Sequence, residues 1–241
     1  MSGSSHLSRI ETQWSVVKDA HGSRVNEPAL CKLLETYGPA IKRYLMASMR
    51  NDDAVAEVFQ EFALKLVRGD FRIADQTKGQ FRKLIKTALY RLMIDYYRRS
   101  QRDVRFGSGN QVEDVHAASI DNDSKESNFT IAWRSTLLET AWNRLQRLQL
   151  QTAKPYYDAL KSRVDNPDMT TKQLYEHLQE LSDEMPKESA FRVFLHRARK
   201  RFAAILLELV SESIDNPSTE DVEMELIELG LHHFCKPMLD R

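Results

Sequence analysis

Apolar residues recur along most of this chain at three- and four-residue steps, the spacing that lines one stripe of an α-helix. The clearest run is 81–102, FRKLIKTALYRLMIDYYRRSQR, in which Phe81, Leu84, Ile85, Ala88, Leu89, Leu92 and Tyr96 share a stripe. Upstream, Leu33, Leu34, Tyr37, Ile41, Tyr44 and Leu45 mark a helix over 30–49, and Gly38-Pro39 predicts a kink or a break within it. Asn51-Asp52-Asp53 supplies a cap for the next helix, 54–68, whose apolar set is Val55, Val58, Phe59, Phe62, Leu66 and Val67.

Beyond Arg105 the periodicity stops. Residues 107–129 are polar and acidic, and they predict a flexible linker of about 23 residues between two small helical domains. The second domain opens with a helix over 130–149, striped by Ile131, Leu137, Leu138, Ala141, Trp142, Leu145 and Leu148. A helix over 156–164 follows, then a turn at Asp165–Asp168, and Thr170 or Thr171 caps a helix that runs to Leu181. Ser182–Pro186 is another turn. The last long helix starts near Lys187 with the stripe Phe191, Phe194, Leu195, Ala198, Phe202, Ile205, Leu206 and Leu209. A short helix before a longer basic one is the outline of a helix-turn-helix.

The expected organisation is therefore a polar leader at 1–27, a helical domain at 28–106, the linker at 107–129, a helix-turn-helix domain at 130–210 and an acidic extension at 211–241. Scarce glycine and proline (8 and 7 of 241 residues) agree with an all-α fold.

Charge changes the picture. Lys plus Arg and Asp plus Glu each number 35, so the formal net charge is zero. The average hides segregation, because basic residues gather at 82–105 and 192–201 whereas 208–228 is almost purely acidic. Local fields rather than net charge govern contacts with phosphate. On the 81–102 helix, Arg82, Lys83, Lys86, Arg91, Arg98 and Arg99 surround Tyr90 and Tyr97, which stand two turns apart on nearly one face. Cations for phosphates and rings for unpaired bases suit a nucleic-acid strand; a solvated surface with half-buried tyrosines fits the same pattern.

Two cysteines, Cys31 and Cys235, form neither a disulfide framework nor a metal motif, and no apolar run reaches membrane-spanning length. A soluble cytoplasmic protein with no membrane association is expected. His232, His233 and Cys235 are near one another but lack a further ligand pattern. No Gly-rich phosphate loop, nucleophile elbow or paired-carboxylate motif occurs, so neither catalysis by the chain nor a cofactor is expected.

Several strings in order carry a resemblance. Asp53-Ala54 with Glu57 and Phe59-Gln60-Glu61-Phe62 is similar to a D-A-E-D-L-x-Q-E-x-F run, and Lys78-Gly79-Gln80-Phe81-Arg82 with Leu84 to G-x-F-R-x-W-L. Asp95-Tyr96-Tyr97-Arg98-Arg99 closes the same helix, and His196-Arg197-Ala198-Arg199-Lys200-Arg201 resembles the end of a recognition helix. Together, over roughly 28–106 and 130–210, they resemble the small extracytoplasmic-function type of the sigma-70 family, bacterial RNA polymerase sigma factors. The resemblance implies that Glu57, Gln60, Glu61 and Lys65 face core RNA polymerase. It implies that Arg82, Lys83, Lys86, Tyr90, Arg91, Tyr97, Arg98 and Arg99 hold the opened −10 promoter element. Lys187, Ser189, Arg192 and His196 would approach base edges of a −35 duplex, with Arg197, Arg199 and Lys200 on its phosphates. An anti-sigma partner is common in that family.

The chain departs from the family pattern in three places. Lys83-Leu84 replaces the usual tryptophan position, the turn over Leu181–Pro186 is longer and lacks glycine, and an acidic stretch follows the recognition helix. In that stretch Val222, Leu226, Leu229 and Leu231 predict a short amphipathic helix, serving as a packed cap, as a mask over the basic helix in the free protein, or as a binding site for a regulator. Two other readings use the same residues: a helix-turn-helix regulator acting without polymerase, and a helical adaptor for acidic protein partners.

Overall fold

Asn51 sets the first corner of the fold. Its Oδ1 accepts the Ala54 N–H at 2.9 Å, its carbonyl accepts the Val55 N–H at 3.0 Å, and Arg50 before it turns left-handed at φ 52°. Side-chain capping and a left-handed residue together end one helix and start the next within two positions. The helices so joined are α1 (Glu27–Met49) and α2 (Asp52–Arg68), which pack on each other. They belong to a computed structural model that describes residues 27–68, 70, 81–107, 122–181, 186–214 and 217–239. The expected leader at 1–27, apart from Glu27, lies outside the described residues.

All regular elements among the described residues are helices, as the sequence pattern predicted. After α2 come α3 (Phe81–Gly107), α4 (Asn122–Thr152), α5 (Tyr156–Asp165), α6 (Thr171–Leu181), α7 (Glu188–Glu212), α8 (Thr219–Glu228) and α9 (His232–Leu239). None is long and apolar enough to cross a membrane. The chain divides into two compact units, residues 1–136 with 212–217, and residues 137–211 with 218–241.

In the first unit α2 packs between α1 and α3. Its core takes Tyr37, Ile41 and Tyr44 from α1, Val58, Phe62 and Leu66 from α2, and Ile85, Leu89 and Leu92 from α3. Of the kink or break expected at Gly38-Pro39, the break does not occur, and α1 runs through both residues. Pro39 is exposed, while Gly38 is buried with the Phe59 ring of α2 beside it. A proline inside a helix costs about 3 kcal/mol. Burying Tyr37, Ile41, Tyr44 and Leu45 contributes about 1.5–3 kcal/mol each and outweighs that cost.

The domain boundary also differs from the expectation. Residues 108–121 lie outside the described residues, but α3 extends to Gly107 and α4 already begins at Asn122, inside the stretch read as linker. Phe129 and Trp133 are buried in the first unit, Phe129 edge-on to Tyr44 at 5.3 Å and Trp133 stacked on Tyr37 at 4.7 Å. Rings of this size dominate core energetics, so they hold the start of α4 in that unit. The division falls at Thr136/Leu137 within the helix, and Ile131, assigned to the stripe, is 45 % exposed. Residues 212–217 return to the same unit, where the Tyr37 hydroxyl donates to the Ser213 carbonyl at 3.4 Å.

The second unit is built on one apolar cluster. Leu145 of α4, Tyr156, Ala159 and Leu160 of α5, Leu174, Tyr175 and Leu178 of α6, and Phe191, Leu195 and Ala198 of α7 share it. Pro155 offers no capping side chain to α5, so Gln149 of α4 does the work: its Oε1 accepts the N–H groups of Tyr157 and Asp158 at 2.9 and 3.1 Å. Thr170 and Gln173 form a reciprocal capping box at the start of α6, with N–H to oxygen distances of 2.9 and 3.3 Å. That selects Thr170, of the two threonines expected to cap, as the cap.

Candidate nucleic-acid interface

Helix α7 is anchored by rings. Tyr156 stacks on Phe194 at 4.8 Å, Tyr175 tilts against Phe191 at 5.4 Å, and Trp142 lies 4.5 Å from Phe202. Three contacts over three turns fix both the rotation and the height of the helix on its unit. The side turned away from the core is then determined by the helical period, about 100° per residue.

Taking Phe191, Leu195 and Ala198 as the inward direction, Ser189, Val193, His196 and Lys200 form the outward crest. Arg192 and Arg199 stand on one shoulder, Arg197 and Arg201 on the other. Lys200 is half-buried and the other residues of this face are exposed, as is Lys187 just before the helix. Among the described residues, none of Lys187, Arg192, Arg197 and Arg199 is paired with a carboxylate. The residues proposed from sequence for duplex DNA thus share one surface. Arg192 sits on a shoulder beside Arg199 rather than on the crest, and Lys200 on the crest rather than a shoulder. Arg201, expected in the basic set of the helix but not among its DNA contacts, lies on this surface too, as does Val193, which the sequence reading did not single out. The signal for Val193 was positional: it lies two residues from both Phe191 and Leu195, which sends it to the opposite side. Residues 182–185 of the preceding turn lie outside the described residues.

Helix α3 presents a second basic face. Arg91 and Arg98 are exposed and stand opposite the buried Ile85, Leu89 and Leu92. Tyr90 and Tyr97 occupy one shoulder with Lys86, and all three are half-buried. The Tyr96 and Tyr97 rings meet edge-on at 5.7 Å, and burial, followed by the neighbouring Tyr96, holds the Tyr97 hydroxyl above the usual tyrosine range. The rings are therefore partly engaged already. The side chains of Arg82 and Lys83 and the loop at 71–80 lie outside the described residues.

Arg99 leans the other way, toward α2. Its Nη2 is 2.6 Å from Glu61 Oε2 and 3.6 Å from Glu57 Oε1. The hydrogen bond to Glu61 is the main reason its guanidinium is held above its ordinary pKa. Residues expected to serve two different partners are here each other's partners. Gln60 is exposed, Lys65 half-buried, and Leu64 and Val67 are 45 % and 42 % exposed beside them. Val67 was expected in the apolar stripe of α2, yet it falls on its outer edge.

The acidic extension folds as α8 and α9. Ser218 and Asp221 form a capping box, and Gly230 at φ 66° closes α8 with the Leu231 N–H donating to the Leu226 carbonyl at 2.8 Å. Val222, Leu226, Leu229, Leu231 and Cys235 are buried, and the Cys235 thiol points at the Ala203 carbonyl of α7, 3.9 Å away. The extension packs on α7 at Ala203, beyond the basic stretch, and leaves Arg192, His196, Arg197 and Arg199 exposed. His232 Nε2 lies 2.9 Å from Glu223 Oε1, and among the described residues no three His, Cys, Asp or Glu side chains are grouped to hold a metal.

Compared with protein-family models, with curated proteins and with solved structures, the chain has no significant match in any of the three.

Proposed function

We propose that this chain is a sigma-type subunit that binds core RNA polymerase and directs promoter-specific initiation by reading two DNA elements. The observation that carries the reading is α7: a ring-anchored helix, preceded by the short capped helix α6, whose crest runs Ser189, Val193, His196 and Lys200 between shoulders of arginine. Such a profile suits a major groove, where shoulders meet phosphates and a crest meets base edges. A second basic face, on α3, comes from the other unit, as a protein that reads two separated elements needs. Arg91 and Arg98 are its phosphate contacts, Tyr90 and Tyr97 its stacking partners for opened bases, and Glu57, Gln60 and Lys65 on α2 contact polymerase. The work is cytoplasmic.

The exposed basic face of α7 also suits a regulator that binds duplex DNA without polymerase, and one experiment separates the two. The full chain is incubated with a randomised DNA duplex pool, with and without bacterial core RNA polymerase, and the retained duplexes are sequenced. A two-part site retained only with the polymerase supports the sigma reading. A single or palindromic site retained by the chain alone replaces it with the regulator.

A further inference from the structure

We propose that Val193 reads a thymine, packing its methyl groups on the base's 5-methyl within the duplex element that α7 contacts; this rests on the reading of α7 given above. Val193 is 53 % exposed and, by the helical period, about 190° around α7 from its buried stripe. It therefore contributes nothing to the core of its unit. Ser189 and His196 adjoin it on the crest, and Arg192 and Arg197 bracket it.

The surroundings decide what meets this valine. Arginines on both shoulders disfavour an apolar pocket on a protein partner, which would have to desolvate them. They favour two phosphate backbones, one along each wall of a groove about 12 Å wide, into which a helix about 10–12 Å across fits. At the floor of that groove a valine has no donor or acceptor to offer. Against the exposed amino group of adenine or cytosine it would strip water and return no hydrogen bond. Thymine alone presents a methyl group there. Val193 also lies in the first two turns of α7, the part of a recognition helix that approaches base edges.

The test uses the full chain with core RNA polymerase and the duplex recovered from the randomised pool. Each thymine of the element contacted by α7 is replaced in turn by uracil, which removes one methyl and leaves the pairing edge unchanged. One replacement should weaken retention about fourfold, the worth of a single buried methyl. Complexes of the Val193→Ala chain should be indifferent to that replacement and still sensitive to an Arg197→Ala change added to them. If no uracil replacement affects the wild-type chain more than the Val193→Ala chain, the thymine assignment is overturned while the promoter reading stands. If no duplex is retained in an Arg197-dependent manner, the promoter reading fails and the assignment falls with it.

Discussion

Arg99 of α3 reaches Glu61 of α2, with Nη2 and Oε2 2.6 Å apart, and so ties the basic face of one helix to the acidic face of another. Both side chains keep substantial exposure, 44 % and 27 %. Pairs of this kind stabilise a fold by about 0–1 kcal/mol, so Glu61→Gln should lower the melting temperature by no more than about 3 °C. Its larger effect is competitive, since Arg99 reaches a phosphate only by leaving Glu61. Glu61→Gln should therefore tighten binding to a single-stranded DNA oligonucleotide, measured by fluorescence anisotropy, and Arg99→Ala should cancel the gain. Unchanged affinity in the single variant would mean that Arg99 never meets DNA.

Gly38 is a stabilising opportunity within α1. A Cβ built there would lie 3.8 Å from the Phe59 ring, an ordinary contact, and no left-handed backbone requires glycine. Helix interiors favour Ala over Gly by about 0.8–1 kcal/mol. Gly38→Ala should raise the melting temperature by about 2–4 °C in a thermal scan. A lowered melting temperature would show that the approach of α1 to α2 leaves no room for a methyl group.

The helices and their inward faces were legible because hydrophobic period is a local signal: the described residues of the α3 and α7 stripes are all buried or half-buried, although Met93, Ala203 and Val210 are buried outside them. Three features were not. The continuity of α1 through Pro39 was one, because the proline's cost is local whereas the burial that outweighs it depends on α2. The boundary at Thr136/Leu137 was missed because Phe129 and Trp133 find their partners, Tyr44 and Tyr37, some ninety positions away. The Arg99–Glu61 pair joins residues separated by 38 positions, and spacing within one helix carries no trace of it. On α7 the basic residues were legible as a set because they are close together in sequence, whereas the outward placement of Val193 emerges only once Phe191 and Leu195 are known to face inward.

Cys235 and Cys31 should differ sharply in reactivity. Burial pushes the Cys235 thiol up to about 11, whereas Cys31 is exposed. Thiolate is the reacting form, so one thiol should titrate quickly in the native chain at pH 8 and two after denaturation. The sign of the linked effect follows. The unfolded thiol, near 9.0, loses its proton before the folded one, so the stability tied to Cys235 is complete below about 9 and declines as pH rises towards about 11. Thermal scans of Cys235→Ala should lack this part of the alkaline decline.

The C-terminal helices meet α7 at Ala203, beyond its basic stretch, which predicts a cap rather than a mask. Removing residues 218–241 would take Cys235 away from Ala203 and remove the buried Val222, Leu226 and Leu229 from the second unit, so it should destabilise that unit. Glu220→Gln keeps those residues and removes one exposed charge. The variant should bind duplex DNA as the parent chain does, by anisotropy at low salt. Tighter binding by the variant would instead make the extension an electrostatic mask.

The central claim is tested most directly by transcription in vitro. Bacterial core RNA polymerase is supplied with the duplex recovered from the randomised pool, placed upstream of a reporter template, with the intact chain, with an Arg91→Ala/Arg98→Ala variant, or with neither. The account predicts discrete transcripts with the intact chain, few or none with the variant, and none without the chain. Transcripts equally abundant with and without it, or an intact chain that fails to associate with core polymerase, would contradict the account.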